Sequence, residues 1–305
     1  MNKLFGLFLL AFAFLAPDVA QAANRFLTCA TTCTITAIDT SIWGTTTGGT
    51  GASVPGASDD VILDGATCVG GTTCTATMGA GYNPTWISVT QSACTASTAG
   101  CILDLSANNN NVTVTGSNCY TNTGAGTRTI NMGSGTWTCS NNSAIYSINA
   151  SLTYTQGAST IAFTGTGGTS SRRLTGGAGK TFNIVTVASG TSPFIPTSAT
   201  ITTLTVSAGN RVVLAEAATT TITTITNVAG SSSAQTLYAS GNPTNGVATV
   251  SSANNWTCDW CGFQGVTFSG GGTFTATNSF DFKGNTSITI TPPSGGGGGG
   301  RIIGG

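Results

Sequence analysis

Asp59, Asp60 and Asp64 are the densest group of chemistry-bearing side chains in the sequence. On an extended strand Asp60 and Asp64 share one face and, at about 3.3 Å per residue, stand roughly 13 Å apart. Glycosidases hold their two carboxyl groups about 5–9.5 Å apart, so this strand alone cannot supply the pair. A partner would have to come from a neighbouring segment, and Asp39 and Asp104 are the nearest candidates in sequence. Calcium is a second reading of Asp59, Asp60 and Asp64, but calcium wants six to eight oxygens. Turn chemistry is the third: Asp59 or Asp60 caps the turn after Pro55-Gly56, and Asp64-Gly65 closes the next. Turn chemistry is the preferred reading, so no catalytic residue, resident metal or cofactor is assigned.

Other reactive groups are sparse. The chain has no histidine, which removes the commonest general base and transition-metal ligand. Serine and threonine are abundant, but a nucleophilic hydroxyl needs an activating partner, and no nucleophile elbow is present. Lys180, Arg172 and Arg173 lie far along the chain from the acidic group.

Ten cysteines remain. Their order suggests short-range disulfides Cys29–Cys33, Cys68–Cys74, Cys94–Cys101, Cys119–Cys139 and Cys258–Cys261, although sequence alone leaves the connectivity open. The competing reading is a zinc site on Cys258-x-x-Cys261, disfavoured by the missing histidine and an exported destination. Trp256 and Trp260, with Phe263, flank that motif. Exposed, they would stack on sugar rings; filling or capping a core, as for Trp43, Trp86 and Trp137, is the preferred reading. Sequons at Asn111, Asn141, Asn149, Asn255 and Asn285 are expected by chance in a chain this rich in Asn, Thr and Ser.

The elements that position these residues follow from composition and spacing. Residues 1–22 read as a signal peptide: Lys3, an apolar run to Leu15, and Ala20-Gln21-Ala22 before the cleavage point. No later stretch reaches the length of a membrane helix. Only 6% of residues are charged and the net charge is zero, which excludes the cationic stripe a nucleic-acid binder needs. At 39% hydrophobic the chain is not disordered. Thr favours strands and Gly, Asn and Ser supply turns, so the class is all-β.

Thr181–Val187, Thr200–Val206 and Thr221–Asn227 overlay as repeats, 19 and then 21 residues apart. In the clearest copy Ile201, Leu204 and Val206 are the apolar positions, so a bend separates the first from the next two. A period near twenty predicts a right-handed parallel β-helix whose windings share one interior; a β-sandwich is the alternative. One solenoid domain spans residues 23–291. Asn108 to Asn111 form either a solvated turn, the preferred reading, or an amide ladder to adjacent windings. The Pro/Gly-rich tail, residues 292–305, is a flexible end, or a tether whose Ile302 and Ile303 add to a neighbour's edge.

Several pieces carry a family resemblance. Trp43-Gly44 with Ser53-Val-Pro-Gly-Ala-Ser-Asp-Asp-Val-Ile-Leu-Asp64 resembles the opening of a broad group of β-helix proteins from tailed-phage virions and bacterial exported proteins. Gly133-Ser-Gly-Thr-Trp-Thr138, Ser159-Thr-Ile-Ala-Phe-Thr-Gly165 and Leu174–Thr186 follow that group's order. Cys258–Gln264 and Gly270–Asp281 are similar to its last windings. The resemblance implies a right-handed β-helix on a cell or particle surface, with no shared catalytic site. The signal peptide departs from virion proteins and favours a secreted or cell-surface product. The expected function is a non-enzymatic structural or adhesive element that meets surface glycan or other copies of itself. A polysaccharide lyase or hydrolase and a phage tail component are the alternatives.

Overall fold

The computed structural model describes residues 23–64, 73–92, 94, 100–123, 125–167, 171–176, 180–188, 190, 193–197, 199–227, 230–241 and 247–294. The expected signal peptide and residues 295–305 of the tail lie outside them. Among the described residues the chain is all-β, without a helix.

Alternation of apolar and polar residues builds short strands, and each strand lies parallel to its counterpart one winding away. One winding comprises Asp60–Asp64, Cys74–Met78 and Thr85–Trp86; the next comprises Ser88–Gln91, Cys101–Asp104 and Val112–Val114. Two more follow the same plan, from Asn118–Asn122 to Thr136–Cys139 and from Ile145–Ser147 to Thr160–Phe163. Stacked in this way they form a first sheet of 12 strands, a second of 5 and a third of 9, with a 3-stranded sheet near the C-terminal end. This is a β-solenoid. A sandwich would need antiparallel neighbours, whereas the ladders between windings are parallel. The first sheet departs from that rule at its N-terminal edge, where Leu27 pairs antiparallel with Trp43 and the indole covers the first winding at 0% exposure.

The interior is a set of columns. Beneath the third sheet, Val112, Trp137, Ile161, Val185, Leu204 and Ile225 stand one above another, all 8% exposed or less. Ile201 lies between Phe182 and Ile222 in a parallel column. Each buried Leu or Ile contributes about 1.5–3 kcal/mol through removal of apolar surface from water.

The period near twenty holds only for part of the chain. Val185, Leu204 and Ile225 are 19 and 21 residues apart, but Trp137, Ile161 and Val185 follow at intervals of 24. Earlier windings are longer because they make three separate strands joined by loops. From Arg172 to Asn227 each winding makes two, since Thr181–Val187, Thr200–Val206 and Thr219–Asn227 run through the second corner as single strands; from Thr236 the windings again make three. In all three of these long strands the expected bend is present: Phe182 and Val185, Ile201 and Leu204, and Ile222 and Ile225 face inward with two residues between them, so the pleat changes phase there.

Candidate functional site

The acidic group does not converge. Asp59 accepts the Gly56 amide on Oδ2 at 2.9 Å and the Ala23 amide on Oδ1 at 3.4 Å. Its Oδ2 also lies 3.4 Å from Arg25 Nε. It therefore caps the turn after Pro55-Gly56 and fastens the first strand to the second winding. Asp60 Oδ1 accepts the Ser88 hydroxyl, and its neighbours in adjacent windings are Asn24 and Ser88, neither a carboxylate. The side chain of Asp64 lies outside the described residues.

The two partners considered from sequence sit elsewhere. Asp104 belongs to the second sheet, whereas Asp60 is in the first. Asp39 is in an exposed turn, where the Ser41 amide and hydroxyl at 2.9 and 2.6 Å hold its carboxyl below the usual carboxylate range. Asp104 receives the same two bonds from Ser106 at 2.9 and 2.6 Å. Among the described residues, no three Asp, Glu or Cys side chains gather as a metal set.

The cysteines pair at short range. Cys29–Cys33, Cys94–Cys101, Cys119–Cys139 and Cys258–Cys261 are bonded, with Cα separations of 5.8, 5.9, 5.5 and 6.1 Å, the ordinary disulfide range. Cys74 is also disulfide-bonded, while Cys68 lies outside the described residues. Paired cysteines fit an oxidising, extracellular environment.

The tryptophans decide between the two readings. Trp256 is 2% exposed, packed edge-on against Tyr238 at 5.2 Å and against Phe263 and Phe268. It fills the interior and offers no face to a sugar. Nor does this cluster end the stack, because Phe280–Asp281 and Thr289–Ile290 pair beyond it. Trp260 is half-buried and outward.

Asparagines do more than the sequence suggested. Asn108 donates back to Met78 O at 2.7 Å, and Asn110 to Gly79 O and Tyr82 O at 2.8 Å each. In the other direction, Asn109 and Asn111 accept the Ser134 and Thr136 amides at 2.8 Å. The Asn108 to Asn111 run is thus a turn exposed at Asn108, Asn109 and Asn111 that also forms a two-way amide ladder, because the corner leaves backbone groups that need partners. Two of the sequons are also local devices: Asn141 and Asn149 each accept the amide and hydroxyl of the serine two residues on.

Two buried arginines were missed. Arg128 and Arg172 are both 0% exposed. Arg172 donates to Gly165 O, Ala188 O and Asn210 Oδ1 at 3.2, 2.9 and 2.6 Å. Arg128 donates to Thr123 O and to Ser151 Oγ, the latter at 3.0 Å. Burial lowers both pKa values from that of a free guanidinium. Each bridges successive windings at a corner. Their only sequence signal is an arginine at an otherwise apolar inward position.

What the windings hold outward is hydroxyl. On the third sheet Thr113, Thr138, Ala162, Thr186, Thr205 and Thr226 form one outer column. Thr136, Thr160, Ile184, Thr203 and Thr224 form a second, two residues away along each strand. No Asp, Glu, Lys or Arg stands in either column. The first sheet, by contrast, carries Asp60, Arg173 and Arg211 at outer positions.

No protein-family model, no curated protein and no solved structure matches the chain.

Proposed function

We propose that this chain is a non-enzymatic, exported β-solenoid that holds a neutral, Thr/Ser/Asn-rich surface for attachment to other surfaces or for assembly. The observation that carries this reading is the division of labour among polar groups. Asp59, Asp60, Asp104 and the asparagines of the corners are engaged in turns and in bonds between windings. The threonine columns face outward on a packed core. A rigid stack of windings presents many weak identical contacts at once, and such contacts gain strength by multivalency. The resemblance to exported and particle-surface β-helices supports the same role, with a surface glycan or further copies of the chain as partner.

The test is a binding assay of residues 23–305 against whole cells and a glycan panel, run beside a polysaccharide-degradation screen. Binding through an uncharged face is expected to persist when salt rises to about 1 M, where charge attraction is screened within about 3 Å. Polymer turnover that survives metal chelation and vanishes in Asp60→Ala would overturn the reading in favour of a carbohydrate-active enzyme.

A further inference from the structure

We propose that the outer face of the third sheet binds ice. The inference rests on the attachment reading above and names the surface attached to.

Parallel windings repeat about every 4.8 Å, and alternate residues along a strand repeat about every 6.6 Å. The two threonine columns therefore form a near-rectangular net of hydroxyls with those two spacings. This net is close to the repeat of oxygen atoms on a prism face of hexagonal ice. The register is one-to-one from Val112–Val114 through Thr200–Val206 into Thr219–Asn227, and side-chain ladders of this kind keep a stacked sheet from twisting. Thr is the residue such a net requires. Its branched Cβ restricts χ1, so hydroxyl and methyl are held in place before binding and little rotamer entropy is lost. The two positions without a hydroxyl, Ala162 and Ile184, are apolar and introduce no charge.

Most of these hydroxyls are also uncommitted; Thr224 Oγ1 is the exception among the described residues, accepting Asn254 Nδ2 at 3.3 Å. Thr90 and Thr121 on the first sheet bond each other at 3.2 Å, and Thr286 donates to Thr267 at 2.9 Å. By contrast, the hydroxyls of Thr113, Thr138, Thr186 and Thr205 make no side-chain bond among the described residues. A charged face would hold a hydration shell unlike ice, and this face has no charge. These columns offer no aromatic ring for stacking on a sugar, since Trp137 beneath them is 1% exposed.

Residues 23–305 are purified and assayed by nanolitre osmometry for a gap between melting and freezing points, and by partition into a growing ice hemisphere. Wild type is expected to show the gap and to enrich in ice. Thr205→Lys and Thr138→Lys, each placing a long cation in the net, are expected to reduce the gap at least about tenfold, as loss of simultaneous contacts does. Thr129→Lys, on the outer face of the second sheet, is expected to leave it unchanged. Circular dichroism confirms that all variants are folded. A wild type that freezes at its melting point and is excluded from ice overturns the inference, as does a Thr205→Lys protein as active as wild type. If the same wild type still binds cells or glycans, the attachment reading stands and only the ice assignment falls; binding to cellulose or chitin powder that Thr205→Lys removes would give the face to a polysaccharide instead.

Discussion

The windings from Asp60 to Phe163 and those from Arg172 to Asn227 share an interior but turn their corners differently. In the earlier group three short strands are joined by loops, and the corners hold disulfides Cys94–Cys101 and Cys119–Cys139 and the Asn108 to Asn111 ladder. The later group has neither cysteine nor tyrosine. Its second corner is a bend within a strand of 7 or 9 residues, so backbone ladder bonds continue where loops would otherwise leave groups to be satisfied. Longer corners need covalent or side-chain closure, and shorter ones close themselves. One device is common to both, the inward arginine that gathers carbonyls from successive windings.

Removing that device should give the largest effect. Arg172→Ala would leave Gly165 O and Asn210 Oδ1 without this donor, and Ala188 O with only Asn210 Nδ2 at 3.0 Å. At about 1–3 kcal/mol for each orphaned group, plus the cavity, a loss of about 5 kcal/mol in denaturant unfolding is expected. A loss under about 1 kcal/mol would show that water replaces the guanidinium and that the corner is not closed by it. Next in size is the disulfide contrast. Cys119–Cys139 closes a loop of 20 residues, a constraint on the unfolded chain of about 3 kcal/mol. Solenoid windings open locally, so reduction should release amide-exchange protection around Val112–Phe163 and leave Thr200–Val206 protected. Equal loss in both regions would mean that they unfold as one unit.

Alkaline pH separates the regions by a third route. Burial raises the pKa values of Tyr120 and Tyr146 above their ordinary value of 10.0, and both rings are 0% exposed. A raised folded pKa on a neutral acid means that stability is full below about pH 10 and falls above it, as the unfolded chain ionises first. At pH 11 each tyrosine costs about 1.4 kcal/mol. The earlier windings should loosen while the tyrosine-free windings from Arg172 to Asn227 hold, as read by exchange or by tyrosinate absorbance.

The same contrast explains what was legible in the sequence. Where corners are bends, equivalent residues recur at 19 and 21, so Ile201, Leu204 and Ile225 could be placed inside and the bend foreseen. Where corners are loops of unequal length, the repeat blurs, and windings of 24 or more residues were compressed into an expected twenty. Cysteine pairs were readable because each closes locally. Trp256 was read as a candidate for stacking because exposure is not encoded in residue type; its ring is held inside by Tyr238 and Phe263, which come from other windings. The threonine columns were hidden for a related reason. Composition shows that Thr is abundant, but only register shows that Thr138, Thr186 and Thr205 stand in one line.

Backbone crowding at the corners should give a smaller effect. Gly157 has φ +55, and a Cβ there would lie 2.2 Å from Gly133 O of the previous winding. Gly133 also has positive φ, at +67, so two left-handed turns stack. Gly157→Ala combines an unfavourable conformation with a backbone clash, and about 2 kcal/mol of destabilisation is expected. Gly241→Ala, whose added Cβ would lie 3.5 Å from Leu214 O, should change stability far less; comparable losses at both would remove crowding as the cause.

The amide ladder should give the smallest measurable change. Asn111 accepts the Thr136 amide at 2.8 Å, and its own amide is accepted by Asn83 Oδ1 at 2.7 Å, so three windings are linked through one exposed asparagine. Asn111→Ala removes one acceptor but leaves the Asn83 bond intact, because that bond uses the backbone. The orphaned Thr136 amide lies near solvent and can be hydrated, which limits the loss to about 1 kcal/mol. Asn110→Ala differs in kind: the residue is 3% exposed and donates to two carbonyls at 2.8 Å. Without it Tyr82 O loses this donor and Gly79 O keeps only the Tyr82 amide at 3.2 Å, so its loss should exceed that of Asn111→Ala by about 1 kcal/mol or more. Urea unfolding of the two variants therefore ranks the ladder by burial. If Asn111→Ala proves the more damaging, bonds between windings matter through their reach along the stack and not through the water they exclude.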